Sequence, residues 1–291
     1  RQAVSKPADQ GHGIGPALAR YYDLDVFEEH GDLPMYLALA AASDGPVLEL
    51  ACGSGRLCVP LVSAGHTVVG VDRDPDMLNR ARAAWATSGA AQSTTSGASL
   101  ELVEADMTEL DLDRRFDLVI LAFNSLMLLP DRAAQERVIH VMRDHLTADG
   151  RVVIDVWRPT PDDLELYDGR PIEEWARRDA ETGEQVSKTT SARYDAASAR
   201  ATVETHFDAS RGSEAPHRTS RRDEIQFVSA DELLTLVETA GLRPQMVAGD
   251  YSMGDLAQDS ERLIVVAAGP NPGPNQNDRD GATQSNALKG L

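Results

Sequence analysis

Val47-Leu48-Glu49-Leu50-Ala51-Cys52-Gly53-Ser54-Gly55-Arg56 is the stretch on which the fold turns. The breaker pair Gly45-Pro46 precedes five residues that read as a strand. Gly53-Ser54-Gly55 then predicts a tight turn into a helix over Arg56–Ala64, stopped at Gly65. The two glycines permit positive backbone dihedrals and let a ligand come up against the main chain. Thr67–Asp72, almost continuous valine, reads as a second strand covered on both faces, and its terminal carboxylate falls seventeen residues past Gly55. In an open parallel sheet, ligands collect beyond the carboxyl ends of the strands where the strand order reverses. An acid at the end of the second strand can there accept both hydroxyl protons of a ribose. The pattern points to a bound nucleoside, without saying which.

Working outward, Asp74 caps the next helix with Pro75 at its first position, and Met77, Leu78, Ala81 and Trp85 are spaced for burial. Thr87–Ser99 reads as a surface loop. Further strands are expected over Leu100–Ala105, over Phe116–Phe123, ending at Asn124-Ser125, and over Arg151–Trp157. A helix over Asp131–Leu146 sets Ala134, Val138, Val141, Met142 and His145 near one face. Thr-rich, mixed-charge segments around 184–195 and 200–209 look like antiparallel strands with one wet face. Ser229-Ala230-Asp231-Glu232 is a capping box opening a helix to Ala240, followed by strands at Pro244–Tyr251 and Glu261–Ala268. The expected fold is therefore α/β: a doubly wound, seven-stranded, mostly parallel sheet with a small appended antiparallel sheet. The corresponding organisation is a flexible N-terminus over 1–15, N-terminal helices and nucleoside-binding core over 16–157, an appended substrate-side sheet over 158–228, a helix and two strands completing the core over 229–269, and a disordered tail over 270–291.

Composition limits the partners. The 291 residues are 42% hydrophobic and 26% charged, and 28 basic against 47 acidic side chains leave a net charge of −19. Such a field repels phosphate backbones and anionic lipid, so neither nucleic acid nor membrane is an expected partner. No apolar stretch approaches the roughly 20 residues of a bilayer span. Two cysteines, Cys52 and Cys58, are too few for a disulfide framework and lack partners at metal-ligand spacing, so a reducing cytoplasm is expected and a metal is not. No secretion signal is read at the start of the chain.

A Gly-x-Gly turn also opens dinucleotide sites, and Cys58 is small enough for the third position of that fingerprint. Against a bound pyrophosphate stand Glu49, a carboxylate in an apolar strand, and the bulky Arg56 directly after Gly55. A cationic ligand would favour the acid.

The decade beginning at Val47, with Val69-Gly70-Val71-Asp72 and Asp76-Met77-Leu78, resembles the first two motifs of the class I S-adenosylmethionine-dependent methyltransferases. Glu104-Ala105-Asp106-Met107 resembles their third, with Ala105 where glycine is usual. Tyr21-Tyr22-Asp23, Asp32–Leu37, Gly249-Asp250-Tyr251 and Asp259–Val266 extend the similarity to a small-molecule branch resembling bacterial amino-sugar N,N-dimethyltransferases. The resemblance implies a Rossmann-like methyltransferase fold, S-adenosylmethionine as cofactor with S-adenosylhomocysteine as product, and a small-molecule methyl acceptor. A homodimer is compatible with it. It also implies that Glu49 serves the methionine amino group, that Ala51, Gly53 and Gly55 line the backbone approach, and that Asp72 holds the ribose. Arg56 opens the helix after the turn and counts with this set. Arg73 or Met77 then flanks the adenine, Asp106 accepts the adenine amino proton, Met107 packs on the ring, and Ala122 and Phe123 face the methionine portion. Tyr22 and Tyr36 arrive as a lid.

Blander readings stand beside these: Glu49 bound to loop amides, Asp106 as a helix cap, Met107 as core, and Tyr21 and Tyr22 as helix-packing aromatics. Methyl transfer from a sulfonium chiefly requires alignment, and aromatic faces such as Tyr22, Phe123 and Trp157 suit the cation. Candidates for a base are His217, His206, Asp155, Asp250 and Tyr251, with His217 singled out, while Asn124 could orient the acceptor. His140 and His145 read as packing or surface residues. A nucleotide-dependent NAD(P) oxidoreductase and a non-catalytic S-adenosylmethionine-binding protein remain as alternative readings.

Overall fold

A computed structural model describes residues 14–26, 31–89 and 97–270. Two short helices, α1 (Pro16–Asp25) and α2 (Leu33–Ala41), precede β1 (Val47–Leu50), α3 (Cys58–Ser63), β2 (Thr67–Asp72) and α4 (Pro75–Thr87). Next come β3 (Ser99–Glu104), β4 (Phe116–Leu121), a 3-10 turn over Ser125–Leu128, α5 (Arg132–Asp144) and β5 (Leu146–Trp157). After α6 (Pro161–Glu165), four strands run in succession: β6 (Asp168–Arg178), β7 (Gln185–Asp195), β8 (Arg200–Ser210) and β9 (His217–Gln226). The described chain closes with α7 (Ala230–Thr239), β10 (Arg243–Ala248) and β11 (Arg262–Ala268).

The main sheet has the order β10-β11-β5-β4-β1-β2-β3. From β5 to β3 the pairing is parallel, while β11 runs antiparallel to both β5 and β10. The order reverses at β1, between β2 and β4, as the glycine turn required. This is the expected doubly wound, mostly parallel architecture. Alternation divides its core: Val119 and Leu121 face the layer holding α5 and α7, whereas Leu118 and Ile120 face the layer holding α2 and α3. In β1, Leu48 and Leu50 join the first layer and Val47 the second, so Glu49 points toward α3. The caps agree with the sequence: Asp74 accepts from the amides of Asp76 and Met77, and Ser229 and Glu232 form the reciprocal box.

Strands β6 to β9 form the separate antiparallel sheet, a meander. Helix α1 lies on it, with Tyr21 stacked on Phe207 at 4.9 Å and Asp25 accepting from Trp175 Nε1 and Lys188 Nζ at 2.9 and 2.7 Å. The sequence located β7 and β8 but not the outer strands individually. Both are charged, β6 carries two register shifts, and neither shows a clean two-residue apolar period, as edge strands that resist further pairing often do not.

Other boundaries moved for local reasons. The chain turns through residues 53–57 with Gly53 and Gly55 at φ 55° and 84°, so α3 starts at Cys58 rather than Arg56. Strand β4 stops at Leu121 because Phe123 and Asn124 adopt φ 50° and 69°. Strand β5 begins at Leu146, where Phe116 pairs with it across an irregular register. Ile14 and Gly15 are held by their amides to Asp74 and Asp76 at the start of α4. The rest of the N-terminus expected to be flexible, residues 90–96 of the expected loop and residues 271–291 of the expected tail lie outside the described residues.

Gly70 in β2 leaves no room for a side chain in the second layer, since a Cβ there would sit 2.8 Å from Cys58 Sγ and 2.9 Å from Cys52 Sγ. Gly70→Ala is expected to lower unfolding stability by about 1–3 kcal/mol through overpacking. A urea titration with an unchanged midpoint would contradict this packing.

Candidate active site

The carboxyl ends of β1, β2, β4 and β5 converge beside the strand-order reversal, the position where an open α/β sheet binds ligands. The backbone is strained there: Ala51 after β1, and Phe123 and Asn124 after β4, are non-glycine residues in the left-handed region, with φ 55°, 50° and 69°. Asp72 orders the turn by accepting from the Gly53 amide at 2.8 Å and the Asp74 amide at 2.9 Å, and burial pushes its carboxyl up. A Cβ on Gly53 would come within 3.1 Å of Met77 Cε and 3.9 Å of Tyr22 Cε1, so both side chains close over this glycine. Burial pushes the Tyr22 hydroxyl up to about 12. A wider opening, about 740 Å³, lies at the end of β5 between Arg158–Pro161 and Gln258-Asp259.

Glu49 is 3% exposed and accepts from the Cys58 thiol at 2.8 Å. Burial lifts its pKa to about 7, against the pull of the thiol and of Arg56. Both cysteines are buried and free. Among the described residues, no group of three or more His, Cys, Asp or Glu is placed to hold a metal ion.

Arg56 is not presented to a phosphate. Its guanidinium grips Asp32 with two bonds of 2.8 and 2.7 Å and lies 4.8 Å from the centroid of the Phe123 ring. The pair fastens α2 to the glycine turn. Asp155 has no exposed surface and accepts from Tyr36 and Tyr251 hydroxyls at 3.2 Å, from the Phe123 amide at 3.3 Å and from Arg262 Nε at 2.9 Å. In this structure it serves as an acceptor for these four groups. Burial, together with the Asp155 charge, raises the hydroxyls of Tyr36 and Tyr251.

The remaining candidates separate clearly. Asn124 Oδ1 accepts from the Trp157 amide at 2.6 Å. Asp106, exposed at the end of β3, accepts from the Thr108 amide and hydroxyl; burial would raise its pKa, but these bonds lower it. Met107 is half-buried, Ala122 is buried and Arg73 is exposed at the end of β2. His217 is exposed at the first residue of β9. The opposite end of that strand, Gln226, accepts through its carbonyl from Gln135 and so approaches the turn after Asn124. His217 and Asn124 are therefore not brought together. His206 pairs with Ser220 on the outer face, Asp250 takes turn amides, and His145 Nε2 accepts from the Leu112 amide. Sequence reasoning gave Asp32 and Arg262 no role, although both fall in stretches, Asp32–Leu37 and Asp259–Val266, that extend the resemblance.

Residues 47–150 match a family described as methyltransferase domain. The matched segment runs from β1 into β5 and contains Glu49, Asp72, Asp106 and Asn124. Among similar proteins, an uncharacterized protein of Mycobacterium tuberculosis is 37% identical over 112 residues, 37% of this chain and 38% of the relative. The dTDP-3-amino-3,6-dideoxy-alpha-D-glucopyranose N,N-dimethyltransferase of Streptomyces fradiae is 27% identical over 147 residues, 48% of this chain and 53% of that enzyme. The chain thus matches about two-fifths to half the length of these curated relatives. A solved S-adenosylmethionine-dependent methyltransferase from Clostridium acetobutylicum superposes with a TM-score of 0.71 at 16% identity, covering 87% of this chain and 98% of that one, a likeness of fold.

Two substitutions test this geometry. Glu49 titrates at about 7 in the folded chain against its ordinary 4.5. Its contribution to stability is thus complete below the unfolded value and lost as pH rises through the folded one. Glu49→Gln is expected to gain on the parent by up to about 3 kcal/mol between about pH 5 and pH 8, read by chemical denaturation across that range. Asp155→Asn, which leaves Arg262 without its carboxylate, is expected to cost about 3–5 kcal/mol, and equal melting curves would refute the role given to that pair.

Proposed function

We propose that this chain is an S-adenosylmethionine-dependent methyltransferase that moves a methyl group in line onto a nitrogen or oxygen of a small molecule. The observation carrying this reading is the turn itself: Asp72 bonded to the Gly53 amide, with Glu49 buried in the preceding strand, at the reversal of strand order. The buried carboxylates Glu49 and Asp72 beside the turn suit a cationic nucleoside better than a pyrophosphate. S-adenosylmethionine supplies, when bound, a methyl group already activated as a sulfonium.

In this reading Glu49, Ala51, Gly53 and Gly55 receive the methionine portion together with Ala122 and Phe123. Asp72 accepts from the ribose hydroxyls, Arg73 and Met77 flank the adenine, and Asp106 and Met107 take its amino edge and face. Tyr22 closes over the glycine turn and presents an aromatic face to the positive sulfur. Arg56 acts indirectly, holding Phe123 in place through its ring contact. Asn124 orients the acceptor through its amide nitrogen. No side chain is assigned as base; an amine acceptor can lose its proton to water.

Residues 16–157 and 229–269 then form the donor-binding core, and 158–228 the acceptor side. The net charge of −19 supports a small molecule over nucleic acid, and the likeness to an amino-sugar dimethyltransferase supports an amine-bearing one. Two free, buried cysteines support a cytoplasmic setting. No helix among the described residues is long and apolar enough to cross a membrane.

Calorimetry with S-adenosylhomocysteine tests the reading. Binding is expected, weakened about 10- to 100-fold in Asp72→Ala, the size of a lost hydrogen bond to a charged group. Silence with both forms of the donor, alongside binding of NAD(P), would overturn it in favour of a redox enzyme.

A further inference from the structure

Arg56, Arg262 and Arg158 stand near the carboxyl edge of the main sheet, and their guanidinium groups are committed differently. Arg56 and Arg262 are each closed by a carboxylate, Asp32 and Asp155, and Arg262 meets its partner through the Nε and Nη2 edge. Arg158, the residue after β5, is not closed in this way. Its backbone amide donates to the Glu261 carbonyl at 2.8 Å, and its Nη1 donates to the carbonyls of Ala257, Gln258 and Ser260 at 3.0, 2.9 and 3.0 Å. Among the described residues, its Nε and Nη2 have no hydrogen-bond partner and no carboxylate pairs with it. Three carbonyls on one nitrogen fix the guanidinium in place without neutralising its charge. The edge left over, Nε–H with one Nη2–H, is a fork of two parallel donors that matches two oxygens of a carboxylate or a phosphate.

The surroundings leave room for such a group. Arg158 is half-buried and lines the opening of about 740 Å³ together with Pro159, Thr160, Pro161, Gln258 and Asp259. The Thr160 hydroxyl is already given to Asp163 at 2.7 Å, and the two prolines have no amide N–H, so neither competes for the ligand. Gln258 is exposed, and its side-chain amide has no hydrogen-bond partner among the described residues, which makes it a neutral donor beside the charged one. Asp259 places a negative charge on the rim and opposes a second anion. In the sheet order β5 lies two strands from β1, so the opening sits about 10 Å to the side of the glycine turn. Asn124 joins the two places, because its Oδ1 accepts from the Trp157 amide, one residue before Arg158.

We propose that the opening after β5 is an oxyanion subsite, in which Arg158 binds a carboxylate or phosphate group through Nε and Nη2. The subsite goes beyond the methyltransferase reading and does not depend on it. Where that reading holds, the bound group belongs to the acceptor, since the opening lies beyond Asn124 from the glycine turn.

The test follows arginine Nε–H resonances by NMR of the isotope-labelled full chain in the presence of S-adenosylhomocysteine, so that a donor carboxylate seated on Arg158 would block the response. Sodium phosphate and, separately, sodium acetate are titrated at constant ionic strength against sodium chloride. The Arg158 resonance is the one missing from Arg158→Lys; should that variant not fold, triple-resonance assignment of the parent chain identifies it. It is expected to shift saturably, half-saturated by about 10 mM, as one charge-assisted bidentate pair allows. The resonance of Arg170, which Asp168 holds at the surface, should not saturate. Saturation by one anion alone assigns the subsite to that class of group, and saturation by both assigns it to the class that binds tighter. Asp259→Asn, which removes the rim charge and leaves Arg158 intact, is expected to tighten binding about twofold or more. No saturable shift with either anion, the same shift in chloride, or an unchanged midpoint in Asp259→Asn overturns the inference while the methyltransferase reading stands. Failure of S-adenosylhomocysteine to bind would count against that reading and leave the anion titration to be read on its own.

Discussion

A carboxylate without exposed surface, Asp155, joins parts of the chain that are far apart in sequence. It binds Arg262 from β11, Tyr36 from α2, Tyr251 from the loop after β10 and the backbone amide of Phe123 at the end of β4. Burying such a charge is costly unless its partners are complete, and four separate elements complete them. The left-handed backbone at Phe123 and Asn124 is held in this way, because the Phe123 amide bonds the Asp155 carboxylate and the Asn124 amide bonds the Asp155 carbonyl. The site's geometry is thereby tied to the strand pairing of the far half of the sheet.

A second buried pair works on the near half. Asp32 and Arg56 connect α2 to the glycine turn, and the guanidinium lies over Phe123, so the two networks meet at one aromatic ring. Glu49 remains apart from both. Among the described residues its hydrogen-bonded side chain is the Cys58 thiol, a weak donor, and burial holds this carboxylate near neutrality.

Much of the fold was legible because it is written in local chemistry. The valine run of β2, the Asp74 and Ser229 caps and the glycines at 53 and 55 each specify their element within a few residues. The donor side of the site was legible for the same reason, since Glu49, Gly53 and Asp72 fall within one strand-turn-helix-strand unit. What was not legible depends on distant registers. Asp155 meets Arg262 only because β5 and β11 pair with Ile264 opposite Asp155, which sets the arginine on the adjoining diagonal. His217 looked near the chemistry because the appended region did, but the direction of β9 carries it to the other end. The outer strands β6 and β9 were obscure because edge strands carry charge instead of alternation.

Tyr21 and Tyr22 are neighbours on α1 that serve opposite layers: one ring stacks on Phe207 of the appended sheet, the other approaches Gly53 of the main one. On an α-helix adjacent side chains are turned by about 100°, so the helix is keyed between two bodies like a spindle with two teeth. Asp25 and Arg20 add polar anchors to the same helix. Inserting or deleting one residue between Pro16 and Tyr21 would rotate both teeth out of their seats together, so length rather than composition is the property of this helix most constrained in any natural or engineered variant of the chain.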